Sequence, residues 1–131
     1  MQNERTDNMI DFKNPEVIKL HESKEAYEKL LDPLLCEDEF IVSAFKSVRD
    51  GIAFTNKRIF VISYEGVTGK RKDITSLPYK NIQAFSVETA AVFDTDCSLE
   101  LWFCGMGKLT FEFLGSKKAF EICRIISEYS L

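Results

Sequence analysis

Leu99-Glu100-Leu101-Trp102-Phe103, then Cys104-Gly105-Met106-Gly107, then Lys108-Leu109-Thr110-Phe111-Glu112-Phe113: this stretch decides the fold. Leu99, Leu101 and Phe103 alternate with Ser98, Glu100 and Trp102, and after the glycines Leu109, Phe111 and Phe113 alternate with Thr110 and Glu112. Successive strand side chains point to opposite faces, so each half presents one apolar face. Gly105-Met106-Gly107 reads as the turn of a hairpin.

Further strands with the same signals lie upstream. Phe40 to Phe45, Ile52 to Thr55, Arg58 to Tyr64, Lys70 to Leu77 and Ile82 to Thr89 are rich in β-branched and aromatic residues. Asp50-Gly51 supplies a tight turn, Glu65 to Gly69 a loop, and Pro78 a stop. Seven strands at short spacing, within residues 38–114, indicate a sandwich or small barrel. Downstream the period changes: after Gly115-Ser116, the residues Ala119, Ile122, Cys123 and Ile126 line one side of a helix reaching about Tyr129, with Phe120, Ile125 and Tyr129 widening the stripe. That helix is expected to plug the open end of the barrel, with Ile122, Cys123 and Ile126 meeting the strand core.

Upstream of residue 35 the pattern is helical. Asn14-Pro15 reads as a capped helix start, and a second start is available at Ser23. Tyr27, Leu30, Leu31 and Leu34 follow the spacing of one buried helical stripe, which Pro33 ends. Residues 1–34 are therefore expected to be a partly disordered, helical N-terminal appendage, and residues 35–131 the main domain.

The 131 residues, 45% hydrophobic and 29% charged, suit one compact domain and exclude a multidomain enzyme, a collagen-like chain and a disulfide knot. No run approaches the roughly 20 apolar residues of a membrane span. Met1 to Asp7 has no apolar core of a secretory signal, so a cytoplasmic location is expected. Cys36, Cys97, Cys104 and Cys123 contain no close pair, which argues against zinc and reads as four buried or half-buried thiols.

Four stretches of the chain are similar to known sequence patterns. The run Gly51-Ile52-Ala53-Phe54-Thr55-Asn56-Lys57-Arg58-Ile59-Phe60 resembles a hairpin of bacterial pleckstrin-homology-like (PH-like) domains. So do Gly66-Val67-Thr68-Gly69-Lys70, and Leu77-Pro78-Tyr79-Lys80-Asn81-Ile82 with Phe85 to Ala90. The resemblance covers about residues 35–130 and points to the short bacterial family once described as a domain of unknown function. It implies a mainly β fold: seven strands in two nearly orthogonal sheets capped by a C-terminal helix. It also implies a non-catalytic module, with some relatives similar to subunits of homo-oligomeric rings.

Candidate chemistry is sparse. His21, the single histidine, lies in the appendage, far in sequence from the β domain, and reads as a solvent-exposed helical residue. Asp94-x-Asp96 lacks the glycine and distal glutamate of a calcium loop. Gly105-Met106-Gly107 lacks the third glycine and helix of a phosphate loop. No catalytic set, metal site or cofactor is expected, and no basic stripe interleaved with aromatics suggests nucleic acid.

Charge does have a pattern, because the net of −4 hides a middle segment, residues 46–80, with eight basic and three acidic groups. Lys46, Arg49, Lys57, Arg58, Lys70, Arg71 and Lys72 fall near strand ends and form a candidate anion-binding set at one barrel mouth. Membrane association through it would be weak. Trp102 and Glu100 share the polar face of their strand and form a candidate interface. Trp102 is expected to meet a second copy, giving a homo-oligomer, or to be covered by the appendage through Tyr27, Leu30 or Leu31.

Overall fold

The computed structural model describes residues 18–47, 50–65, 71–89, 97–113 and 119–131. In chain order these form β1 (Ile18–Glu22), α1 (Glu28–Leu31), a 3-10 turn (Asp32–Leu34), β2 (Ile41–Lys46), β3 (Asp50–Thr55), β4 (Arg58–Glu65) and β5 (Arg71–Pro78). A second 3-10 turn (Tyr79–Asn81), β6 (Ile82–Thr89), β7 (Cys97–Phe103), β8 (Gly107–Phe113) and α2 (Ala119–Ser130) complete them. Strand order is β5-β4-β3-β2-β1-β8-β7-β6. Every neighbouring pair is antiparallel except β1 and β8, which run parallel.

The seven strands expected between residues 38 and 114 are β2 to β8. The interior is built as the alternation requires: Leu99, Leu101, Phe103, Leu109, Phe111 and Phe113 are all buried. Phe45 of β2 meets Phe113 of β8 edge-on at 4.7 Å and Phe54 of β3 at 6.2 Å, so the strands on either side of β1 share one core. α2 packs against β6 and the second 3-10 turn. Its buried side chains are Ile122, Ile125 and Ile126, whereas Cys123 is half-buried and outside the core cluster. The inward stripe therefore includes Ile125 in place of Cys123. Tyr129 stacks on Tyr79 at 5.8 Å, and the Tyr79 hydroxyl donates to the Thr55 carbonyl at 2.7 Å. Burial, then Tyr129 and Glu39, push the Tyr79 phenol pKa upward.

The N-terminal expectation needs correction. Residues 18–22 are a strand, not a helix, and among the described residues only Glu28–Leu31 is α-helical before Pro33 enters a 3-10 turn. Ile18-Lys19-Leu20-His21 alternates with period two, a signal overshadowed by the helical stripe that follows. The tertiary reason is the seam between β2 and β8, which β1 fills with Leu20 fully buried in the main core. His21 is exposed, but on this strand.

α1 serves a second apolar layer. Tyr27 and Leu31 pack on Ala44, Ala53, Phe60 and Ile62, the outward face of β2 to β4. Leu34, the last residue of the expected stripe, is exposed. Gly51 explains how a tyrosine fits flat against a strand: a methyl there would overlap the Tyr27 ring and hydroxyl. Burial, then the charges of Tyr64 and Asp50, push the Tyr27 phenol up to about 12.

Asp50-Gly51 is consequently not the turn. Both residues lie in β3, and the chain reverses before them, where the Ser47 amide donates to the Asp50 carbonyl at 2.7 Å. The later glycines do turn the chain, Gly105 at φ 78° and Gly107 at φ 117°, a region L-residues with a Cβ avoid. Cys97 is buried and Cys123 half-buried as expected, but Cys36 and Cys104 are exposed because they fall in loops rather than on packed faces. Asp94-x-Asp96, Asn14-Pro15 and Gly115-Ser116 lie outside the described residues.

Candidate functional site

The basic residues fall into two groups. Lys46 pairs in register with Gly51, Gly51 with Ile62, and Ile62 with Ile74. Tyr64 faces Lys72, and Glu65 faces Arg71, at the same end of these four strands. Lys46, Arg71 and Lys72 are exposed there. Arg49 and Lys70 lie outside the described residues. Lys57 and Arg58 sit at the opposite end, where Arg58 faces Pro78. The set does not converge on one mouth, because the β3–β4 turn and the β2–β3 turn are at opposite ends of an antiparallel ladder.

Arg58 is committed to a structural role. Its Nε and Nη2 donate to Glu39 Oε2 and Oε1 at 2.9 and 2.8 Å, Nη2 also to the Leu34 carbonyl at 2.9 Å, and Nη1 to Ser76 Oγ at 3.1 Å. The guanidinium carbon lies 4.4 Å from the Phe60 ring centre. Glu39, with its side chain fully buried, also accepts from the Thr55 hydroxyl at 2.6 Å and the Cys36 amide at 2.9 Å. Burial alone pushes the Glu39 carboxyl up, but the bonds from Arg58, Thr55 and Cys36 outweigh it and hold the pKa at about 2. The same pairing raises the Arg58 pKa. This latch pins residues 34–39 across β4 and β5. Lys57, alongside, meets Asp38 at 3.3 Å. The Arg58 guanidinium is thus taken up within the fold, whereas Lys57 is exposed.

The second candidate lies on the outer face of β6 to β8. Trp102 is half-buried, opposite Ala84 on one side and Lys108 on the other. Lys108 Nζ is 5.8 Å from the Trp102 ring centre and 3.4 Å from Glu100 Oε2. Next to them a shallow recess is lined by Ser86, Val87, Glu88, Ser98 and Glu100. Tyr27 and Leu31, expected as possible covers of Trp102, instead pack on the β2–β4 layer, where the small residues Gly51, Ala44 and Ala53 make room. Among the described residues, no group of three or more His, Cys, Asp or Glu side chains is placed to hold a metal ion. No helix among them is long and apolar enough to cross a membrane.

Two antiparallel half-sheets, β2 to β5 and β6 to β8, with a C-terminal helix packed where the strand order is open, define a PH-like domain. The profile of the bacterial PH domain family matches residues 11–130, and the chain belongs to that family. It is 37% identical over 107 residues to the uncharacterised protein YjqA of Bacillus subtilis (strain 168), covering 80% of this chain and 86% of that one. Two crystal structures are similar. A DUF1696 family protein with a pleckstrin-homology domain from Shewanella loihica PV-4 has a TM-score of 0.75 at 35% identity, with 87% of this chain and 99% of that chain covered. A pleckstrin-homology domain from Shewanella amazonensis SB2B has a TM-score of 0.62 at 38% identity, with 83% and 92% covered.

Proposed function

We propose that this chain is a non-catalytic interaction module that works through protein–protein contact, and that its first partner is a second copy of itself. The observation that carries this is Trp102, a large aromatic held half-exposed on an otherwise polar sheet face, with Lys108 over its ring and Glu100 beside it. Tryptophan buries much area at little rotamer cost and is enriched at the energetic centres of interfaces. Sedimentation velocity at tens of micromolar tests the reading. The wild type is expected to sediment as an oligomer and Trp102→Ala as a smaller species; a monomeric wild type refutes it.

A second reading is favoured by the cluster of Lys46, Arg71 and Lys72 at one end of β2 to β5: weak binding of an anionic ligand or membrane surface. Such binding should be lost from anionic vesicles as salt rises from low to physiological, because exposed charges are screened over about 8–10 Å. Tight, head-group-selective binding that disappears in a Lys46→Ala, Arg49→Ala variant would place this reading first.

A further inference from the structure

We propose that the outer edge of β6 accepts an extended, basic segment of a partner protein as an added strand, held by backbone pairing and by Glu88 with Glu100. This partner is not the second copy proposed above, and the edge is a different surface from the Trp102 face.

The strand order ends on β5 and on β6, and among the described residues each of these strands is paired on one side only. The two edges are protected differently. β5 carries Arg71, Lys72 and Asp73 at one end and Pro78 at the other, residue types that blunt an edge against further pairing. β6 reads Ile82-Gln83-Ala84-Phe85-Ser86-Val87 before its first charge, Glu88, and holds no proline. A long edge without such guards is what strand addition uses. The apolar layer also runs past its last strand. Leu99 and Leu101 of β7 are buried, whereas their register partners Val87 and Phe85 stay half-buried against the same core. A strand added about 4.8 Å beyond β6 brings apolar side chains alongside both and completes their cover.

The opposite face of the added strand sets the charge of the occupant. Ser86, Glu88, Ser98 and Glu100 border the shallow recess on that side. Glu88 is exposed and meets no partner among the described residues, while Glu100 is shared with Lys108 at 3.4 Å. Alternate side chains of the added strand lie next to Ser86 and Glu88, where a lysine or arginine is favoured and an acid repelled. β6 itself contains no base, so a second copy's β6 would bring another Glu88 and nothing to neutralise it. The occupant that fits is an extended segment alternating basic with apolar residues.

Fluorescence anisotropy with the full-length chain at physiological salt tests this, the probe being a dye-labelled, end-capped heptapeptide that alternates lysine with valine. It is expected to bind roughly tenfold more tightly than the same peptide with glutamate in place of lysine. Glu88→Gln should weaken binding several-fold, and Glu88→Lys, a change at an exposed side chain, should reverse the preference between the two peptides. Two backbone N-methylated forms separate strand addition from attraction of any cation to a chain of net charge −4. In an added strand only alternate amides face β6, so methylating the lysine amides and methylating the valine amides must differ: one form loses binding and the other keeps it. Equal effects, with both forms bound or both released, would overturn the proposal. So would failure of the lysine–valine peptide to bind, or an unchanged preference in Glu88→Lys. Trp102→Ala, the variant that tests self-association, leaves β6 intact and should bind the peptide as the wild type does, whether or not it still assembles. Loss of binding in that variant would put the peptide on the aromatic face and overturn the edge assignment.

Discussion

Replacing Glu39 by glutamine should release the latch that holds residues 34–39, and the cost can be worked from its geometry. The Glu39 carboxylate has no solvent exposure and accepts four hydrogen bonds, from Arg58 Nε and Nη2, Thr55 and Cys36. Glutamine keeps the shape but turns an NH2 group toward donors and leaves the Arg58 guanidinium without its counter-charge. A folded pKa of about 2 against an ordinary 4.5 amounts to about 3 kcal/mol at 1.36 kcal/mol per unit. Arg58 is 21% exposed at the side chain, so solvent screening reduces this to about 2 kcal/mol. Because folding depresses the pKa, the contribution is complete above pH 4.5 and is lost as pH falls toward 2. Urea unfolding of wild type and E39Q at pH 7 should differ by about 2 kcal/mol, and the difference should shrink steadily between pH 4.5 and 2.5. A gap under about 0.5 kcal/mol at pH 7, or one that does not change with acid, refutes the reasoning.

Other outcomes follow from single positions. Gly51→Ala should destabilise by about 2 kcal/mol or more through overlap with Tyr27, and far less in a Tyr27→Ala background, a non-additivity that a double-mutant cycle by thermal unfolding measures. Phe111→Ala should cost roughly 3–5 kcal/mol in urea unfolding, as truncation of a buried ring does. Ser43→Ala should be neutral or stabilising in the same assay, because the buried Ser43 hydroxyl has no hydrogen-bond partner to lose among the described residues.

How legible each part was depended on the distance over which it is decided. The β7–β8 hairpin is local: alternation and two glycines specify face, register and turn, and Leu99 to Phe113 lie as those signals require. β1 is not local. Its alternation is short, a stronger helical stripe follows it, and its partners on β8 lie at the other end of the chain. Gly51 shows one residue type serving two needs: beside an aspartate it signals a turn, yet here it clears space for an aromatic ring. At the candidate sites, residue type was readable and placement was not. Arg58 looked available until Glu39, nineteen positions earlier, came over the outer face to bind it. Trp102 was readable as outward-facing because strand alternation alone fixes its side.

The parallel pairing of β1 with β8 also has a consequence for the order of events during synthesis. Ile18 pairs with Phe111, roughly ninety residues later, so β1 leaves the ribosome well before β8 but cannot complete its pairing until β8 follows. Until β8 emerges, β1 can pair only with β2 and keeps its other edge open, and the aromatic row of Phe45 and Phe54 lacks Phe113. At about 5–20 residues per second, that interval lasts several seconds for each nascent chain. Closely spaced ribosomes on one message would hold such chains near one another, each with an early strand and an unfilled edge, before either barrel has closed.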